Sequence, residues 1–253
     1  YVFLAQKEFV EAFRGVGCKN VYWLPLACDP EIHKKHELEK KYEVGFVGSL
    51  TDKRRQDLLK FVDKNFELFV DRRFMEEMGM VFSKSKIIFN NAINNDVNMR
   101  VFEALCSGSL LITDQAIGLE ELFQDKKHVF IYKNEKDLIE KIRYYLDHPK
   151  ERIAIAEQGR KEVIKNHTYA HRVHEMMRIL DHCVKKKSEP KIKNQEVGFN
   201  LRRPEGYFKN VREDLLELVP KEAVYIMDVG CAGGKLGAAI KKRQSAFVMG
   251  IEM

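Results

Sequence analysis

KIIFNNAINNDVNMRVFEALCSGSLLITD, from Lys86 to Asp114, is the stretch whose reading decides the fold. KIIFNNAI opens on a short apolar run with β-branched and aromatic residues and reads as a buried strand. NNDVN is a polar loop. MRVFEALCSG carries apolar residues at helical spacing and meets Ser107 and Gly108, a good helix stop. SLLITD is again a short apolar run. Strand, loop, helix and strand in this order make a crossover between parallel strands.

Working outward, the same alternation continues on both sides. YEVGFVGSL (Tyr42–Leu50), FELFV (Phe66–Val70) and HVFIY (His128–Tyr132) are further short apolar runs. Leu58, Leu59, Phe61 and Val62 stand at helical spacing, as do Phe74, Met78, Val81 and Phe82. GLEELF and DLIEKIRYYLDHP read as helices, followed by a long helical region from about Glu151 to Val184. Five strands between Glu43 and Tyr132 therefore form one α/β layer, a Rossmann-like parallel sheet. In such sheets the ligand sits at the carboxyl ends of the strands. Gly48-Ser49, Asn94 to Asn98 and Thr113-Asp114 all lie at such ends.

Composition narrows the class. The 253 residues are 45% hydrophobic and 32% charged, as in soluble globular proteins. No apolar run approaches the ~20 residues that span a bilayer. The opening YVFLAQKEFV lacks a basic segment before a long apolar core, so no signal peptide is read. Five scattered cysteines without a CxxC pair argue for reduced thiols and a cytoplasmic setting. The net charge is +6, and Lys185, Lys186, Lys187, Lys191 and Lys193 supply much of it. That run reads as a solvated linker, with at most peripheral contact with a membrane and no nucleic-acid partner.

The helix after NNDVN is placed for anion binding. Asp96 or Asn98 caps it, and its free first-turn amides attract phosphate. Arg100 adds a charge to the same anion. Glu103, one turn on, suits the two hydroxyls of a ribose. Gly48 allows close backbone approach, and Arg54 and Arg55 follow within reach of a diphosphate. Singly, Glu103 reads equally well as a solvated helix residue and the arginine pair as a basic corner. Their joint placement at strand ends, with Ser49, marks a nucleotide-sugar pocket.

GFVGSL, the Lys86–Asp114 stretch, GLEELF, YYLDHPKER and HTYAHRV together resemble the spore-maturation (CgeB-like) glycosyltransferases, which are similar to the retaining GT-B enzymes. The resemblance covers roughly residues 1 to 183. It implies that residues 41–184 are the second, donor-binding lobe of a GT-B fold. Residues 1–40 would then be the end of the first lobe, with WLPLACDPEIH as the hinge. It also implies a sugar donor activated by a nucleotide, a glycan or glycoconjugate acceptor, and diphosphate handling without a metal. No Asp-x-Asp triplet occurs in the chain. Of the two glutamates that often line such pockets, the second is similar to Glu103, while Asn95 stands in place of the first.

His167, His171 and His174 are spaced to share one helical face, a weak zinc pattern without a carboxylate or thiol in register. The resemblance instead places them in the helix that returns between the two lobes.

Residues 185–206 read as an interdomain linker. From 207 to 253 the pattern restarts with VREDLLELV, VYIMDV, a glycine turn, KLGAAIKK and AFVMGIE, one βαβ unit of a domain that is truncated. Gly230 and Gly233 permit a tight turn, and Glu252 stands at the tip of the next strand to hold ribose hydroxyls. Asp228, two before the first glycine, sets this apart from a dinucleotide fingerprint, which keeps that place apolar. It resembles the opening motif of class I methyltransferases, which implies S-adenosylmethionine as cofactor. The sequence thus reads as part of a glycosyltransferase fused to a methyltransferase, a fragment expected to be inactive alone. A non-catalytic nucleotide-sugar-binding or scaffold module is the alternative.

Overall fold

The computed structural model describes residues 1–184, 213–229 and 234–251. They form two compact units, one of Pro25–Val184 and one joining Tyr1–Leu24 to the described residues of Lys185–Met253.

The second unit begins with β1 (Val2–Leu4), α1 (Phe9–Gly15) and β2 (Val21–Trp23), and the two strands pair in parallel. Indole Nε1 of Trp23 donates to the carbonyl of Ala5 over 3.0 Å, fixing the exit of the first strand.

In Pro25–Val184 the chain runs β3 (Tyr42–Val47), α2 (Lys53–Asp63), β4 (Leu68–Asp71), α3 (Met75–Lys84), β5 (Ser85–Phe89) and α4 (Met99–Cys106). It continues through β6 (Leu110–Asp114), α5 (Leu119–Leu122), β7 (Phe130–Tyr132), α6 (Glu135–Asp147), α7 (Pro149–Asn166) and α8 (Tyr169–Val184). The five strands from β3 to β7 make one parallel sheet in the order β4-β3-β5-β6-β7. This is the Rossmann-like layer expected from the sequence.

Period-two alternation sorts the core onto the two faces of the sheet. Ile87, Phe89, Leu110 and Ile112 face α2 and α6, packing with Leu58, Leu59, Leu138 and Ile142. Ile88 and Leu111 face the other way, among Phe82, Phe102, Leu105 and Val163 of α3, α4 and α7. Gly159 on α7 lets that helix sit close, since a Cβ there would meet Leu105 at 2.8 Å and collide with the His128 carbonyl.

The single helical region expected from Glu151 to Val184 is instead two helices. The chain leaves helix at His167-Thr168, where Thr168 bridges Cys28 in parallel. The carbonyl of His167 accepts from the amide of Cys28, and that of Cys28 accepts from the amide of Tyr169. These bonds to the segment after Pro25 replace those a continuous helix would make. His167 consequently lies outside α8, and the shared helical face does not form. Its buried ring packs 4.9 Å from Phe123 and hydrogen-bonds Arg172.

The expected linker, residues 185–206, lies outside the described residues, and beyond it the chain forms α9 (Glu213–Leu218), β8 (Tyr225–Val229), α10 (Lys235–Arg243) and β9 (Phe247–Ile251), with β8 and β9 parallel over five residue pairs. Among the described residues, no helix is long and apolar enough to cross a membrane.

Candidate functional site

β4 lies on one side of β3 and β5 on the other, so the winding reverses between β3 and β5. A crevice opens there, beyond the carboxyl ends of both strands, and such switch points are where open α/β sheets take ligands. At Gly48, just past β3, an added Cβ would collide with the Arg100 guanidinium. Past β5 the chain leaves the sheet at Asn90 and Asn91, both buried.

Those two asparagines position the two arginines. Nη1 of Arg100 donates to Oδ1 of Asn90 and its Nε to the carbonyl of Val47, each over 2.6 Å. Asn90 is itself held by its Nδ2 on Thr113 Oγ1, 2.9 Å away. Nε of Arg55 donates to Oδ1 of Asn91 over 2.8 Å, Nη2 to the Asn91 carbonyl over 2.9 Å, and Nη1 to the Ser49 carbonyl over 3.0 Å. Arg55 starts from the first turn of α2, where Asp52 caps its amide. Both guanidiniums approach the ring of Phe46, Arg100 at 4.3 Å and Arg55 at 5.4 Å. Burial depresses both pKa values, and the charge of Arg55 depresses Arg100 further. Arginine stays protonated in proteins. Two like charges therefore stand partly desolvated at one crevice, and an anion relieves that cost.

Asn98 is the N-cap residue of α4, yet its side chain does not cap the helix. Its Nδ2 turns back to the Asn91 carbonyl at 3.4 Å, and its Oδ1 is buried without a partner among the described residues. The first-turn amides of α4 thus face the crevice without a side-chain competitor.

Glu103, one turn deeper, is buried, and burial raises its pKa to about 7 while Arg100 opposes the rise. Oε1 lies 3.5 Å from Nε2 of His33. The amide of Asp29 donates to Nδ1 of His33, which leaves the ring proton on Nε2, toward Glu103. One carboxylate oxygen is thereby engaged by His33.

Gly48, Ser49, Arg55, Asn98, Arg100 and Glu103 line one cleft of about 570 Å³. Exposed Phe74 and Tyr169 stand at its rim. Arg54 is the exception among the residues named from the sequence. It turns to Asp114, 3.5 Å away, and lines a neighbouring cleft, because successive residues on a helix point about 100° apart. Asn95 lines that neighbouring cleft too, with a left-handed backbone (φ 58°). Asp228 is the last but one residue of β8, half-buried; Gly230, Gly233 and Glu252 lie outside the described residues.

Sequence reading missed Asn90, Asn91 and His33. Two adjacent amides closing an apolar strand were a legible sign, since asparagine is depleted within strands. Nothing local marks His33, whose role comes from a contact across seventy positions. Among the described residues, no group of three or more His, Cys, Asp or Glu side chains is placed to hold a metal ion.

A family model described as "Glycosyl transferase-like" matches residues 38–178. A comparison with curated proteins gives no match. Among solved structures, HepE from Anabaena in complex with UDP and glucose is similar, with 12% identity, a TM-score of 0.61, and coverage of 71% of this chain and 62% of HepE. Sucrose-phosphate synthase from Thermosynechococcus elongatus is 10% identical with a TM-score of 0.59, covering 74% of this chain and 59% of the synthase. TarM from S. aureus, solved with UDP and α-GlcNAc-glycerol, is 12% identical with a TM-score of 0.58, covering 71% and 43%. The chain thus spans less than two thirds of the length of each of these structures, whose likeness is one of fold.

Proposed function

This chain belongs to the glycosyl transferase-like family, and from that premise we propose that residues 41–184 are the donor-binding lobe of a GT-B glycosyltransferase. The observation that carries the reading is the convergence of Arg55 and Arg100 at Gly48, on the switch point of the sheet, with Glu103 one turn deeper. The diphosphate of a nucleotide sugar lies over Gly48 and the first amides of α4. Arg55 and Arg100 face the charge that collects on it when the bond from the sugar's anomeric carbon to the phosphate oxygen breaks. Glu103 accepts from the ribose, with His33 steadying its other oxygen. UDP is the first nucleotide to test, because HepE and TarM were solved with it.

The finer reading assigns the chain to the CgeB-like subtype, acting in the cytoplasm on a glycan or glycoconjugate acceptor. Residues 1–40 close the first lobe, 41–184 bind the donor and 185–206 link to 207–253, the opening of a class I methyltransferase. The parallel β8-α10-β9 unit, Asp228 near the end of β8 and the left-handed Gly234 (φ 69°) before α10 support S-adenosylmethionine as the cofactor of that part.

Asn95 favours the second reading, a binding module without turnover, because an amide cannot supply a carboxylate's charge. A thermal-shift screen of nucleotides, nucleotide sugars and S-adenosylhomocysteine tests the binding claims. Hydrolysis of a labelled donor by the full-length protein separates enzyme from module: turnover supports the first, and binding without turnover the second.

A further inference from the structure

A second convergence of positive charge lies at the opposite edge of the sheet from the Gly48 crevice, beyond the amino ends of β5 and β6. A pocket of about 220 Å³ opens there between the segment before β3, the turns leading from α3 and α4 into those strands, and the first turns of α7. Lys35, Lys40, Lys86 and Arg152 line it, with Glu37 and Glu157. Glu157 is held by Lys35 over 2.9 Å, and Glu37, 3.7 Å from the same lysine, is 90% exposed. Four cations against two carboxylates leave the pocket two positive charges in excess.

The ammonium of Lys40 is anchored. It donates to the Ser85 carbonyl over 2.7 Å and to Ser109 Oγ over 2.8 Å, and its third donor remains. Burial, and then the charges of Arg152 and Lys35, lower its pKa to about 8, as happens when like charges meet away from water. Nη1 of Arg152 donates to the carbonyls of Tyr145 and Leu146, at 2.7 and 3.3 Å, which fixes the guanidinium and leaves its Nε and Nη2. Half-buried Lys86 makes no hydrogen bond or ion pair among the described residues. His36 lines the same pocket, tied by its amide to Ser83 Oγ over 3.0 Å. Its Nε2 is buried without a partner among the described residues.

Both α3 and α4 end at this pocket, and bare carbonyls at a helix C-terminus repel an anion. Here they are occupied. Ser109 Oγ donates to Phe82, the amide of Lys41 to Lys84, and Nε of Arg160 to Cys106. A phosphate ester carries about −1.5 to −2 charges at neutral pH and three acceptor oxygens, which matches the excess charge and the donors left over. Exposed Leu38 and Ile153 give its organic part an apolar wall.

We propose that this pocket binds a small phosphate monoester, at a site separate from the Gly48 crevice and independent of the donor reading.

The test is calorimetry on this chain with glycerol 3-phosphate, glucose 6-phosphate, inorganic phosphate and glycerol. At least one ester should saturate at one site, more tightly than inorganic phosphate, while glycerol should not bind. Lys86→Met removes a charge that holds nothing else, so it should weaken that ester about tenfold at an unchanged melting temperature. Lys40→Gln, which keeps a donor for Ser85 and Ser109, should weaken it similarly. Arg100→Ala should leave it at the parent affinity. Failure of both esters to saturate, or parent-like affinity in both lysine variants, would overturn the proposal. So would inorganic phosphate binding as tightly as the esters, or loss of ester binding in Arg100→Ala alone, which would put the phosphate in the Gly48 crevice.

Discussion

Nη1 of Arg100 donates to Oδ1 of Asn90 over 2.6 Å, tying the first turn of α4 to the residue that leaves β5. The guanidinium is thus part of the fold as well as part of the proposed anion site. Arg100→Ala leaves the Asn90 side chain and the Val47 carbonyl without their donor, which should cost about 1–3 kcal/mol of stability. The same variant should lose UDP affinity at least about tenfold, the value of one charge-assisted bond, and leave uridine affinity alone. Denaturant melts and paired titrations of UDP and uridine check both halves.

Gly48 and Arg100 should be coupled. A methyl group at position 48 would occupy the space of the Arg100 guanidinium, which its bonds to Val47 and Asn90 hold in place. Gly48→Ala should therefore cost about 1–3 kcal/mol, as overpacking does. In an Arg100→Ala background the part of that cost due to the collision should disappear, while the backbone strain at φ 157° remains. A double-mutant cycle measures it, and strict additivity would show that the two residues do not share the space.

Glu103 gives opposite pH trends for folding and for binding. Burial raises its pKa from 4.5 to about 7, so the folded state binds this proton more tightly than the unfolded chain. Its contribution to stability is full below 4.5 and is lost as pH rises through 7. Ribose hydroxyls donate to the ionised form, so affinity should instead rise as pH passes 7. UDP-glucose is the better probe, since its diphosphate, unlike a phosphate with a second pKa near about 6, keeps its charge unchanged across this range. Glu103→Gln should flatten both trends, and Glu103→Ala should weaken binding by about 1–3 kcal/mol. Melts and calorimetry across the pH series decide.

Gly159→Ala tests the packing behind the site without touching it. Its Cβ would press into the His128 carbonyl and Leu105, and neither backbone nor buried leucine can step aside cheaply. A loss of about 1–3 kcal/mol is expected, with the UDP affinity of the folded fraction unchanged. Altered affinity would show that α7 communicates with the cleft.

The five strands were legible because each is a short apolar run closed by polar or glycine residues, so period and punctuation agreed. The break at His167-Thr168 was not, because its cause is the pairing of Thr168 with Cys28, 140 positions away, which local propensity does not encode. At the site, Gly48, Arg100 and Glu103 were readable from their distance to strand ends and the helical repeat. Arg54 and Arg55 looked equivalent in sequence, yet only Arg55 reaches the asparagine pair, since one step around α2 turns Arg54 toward Asp114. Asn90 and Asn91 were read as strand, although their side chains, not their backbone, decide where both buried arginines point.

The central claim is that Arg55 and Arg100 make the crevice at Gly48 a diphosphate site. Isothermal titration of UDP and UDP-glucose into this chain, the Arg100→Ala variant and the Arg55→Ala variant tests it most directly. The account predicts saturable one-to-one binding of at least one of the two to the parent chain, weakened at least about tenfold in each folded variant. Absence of binding to the parent, or equal affinity in parent and both variants, would contradict it.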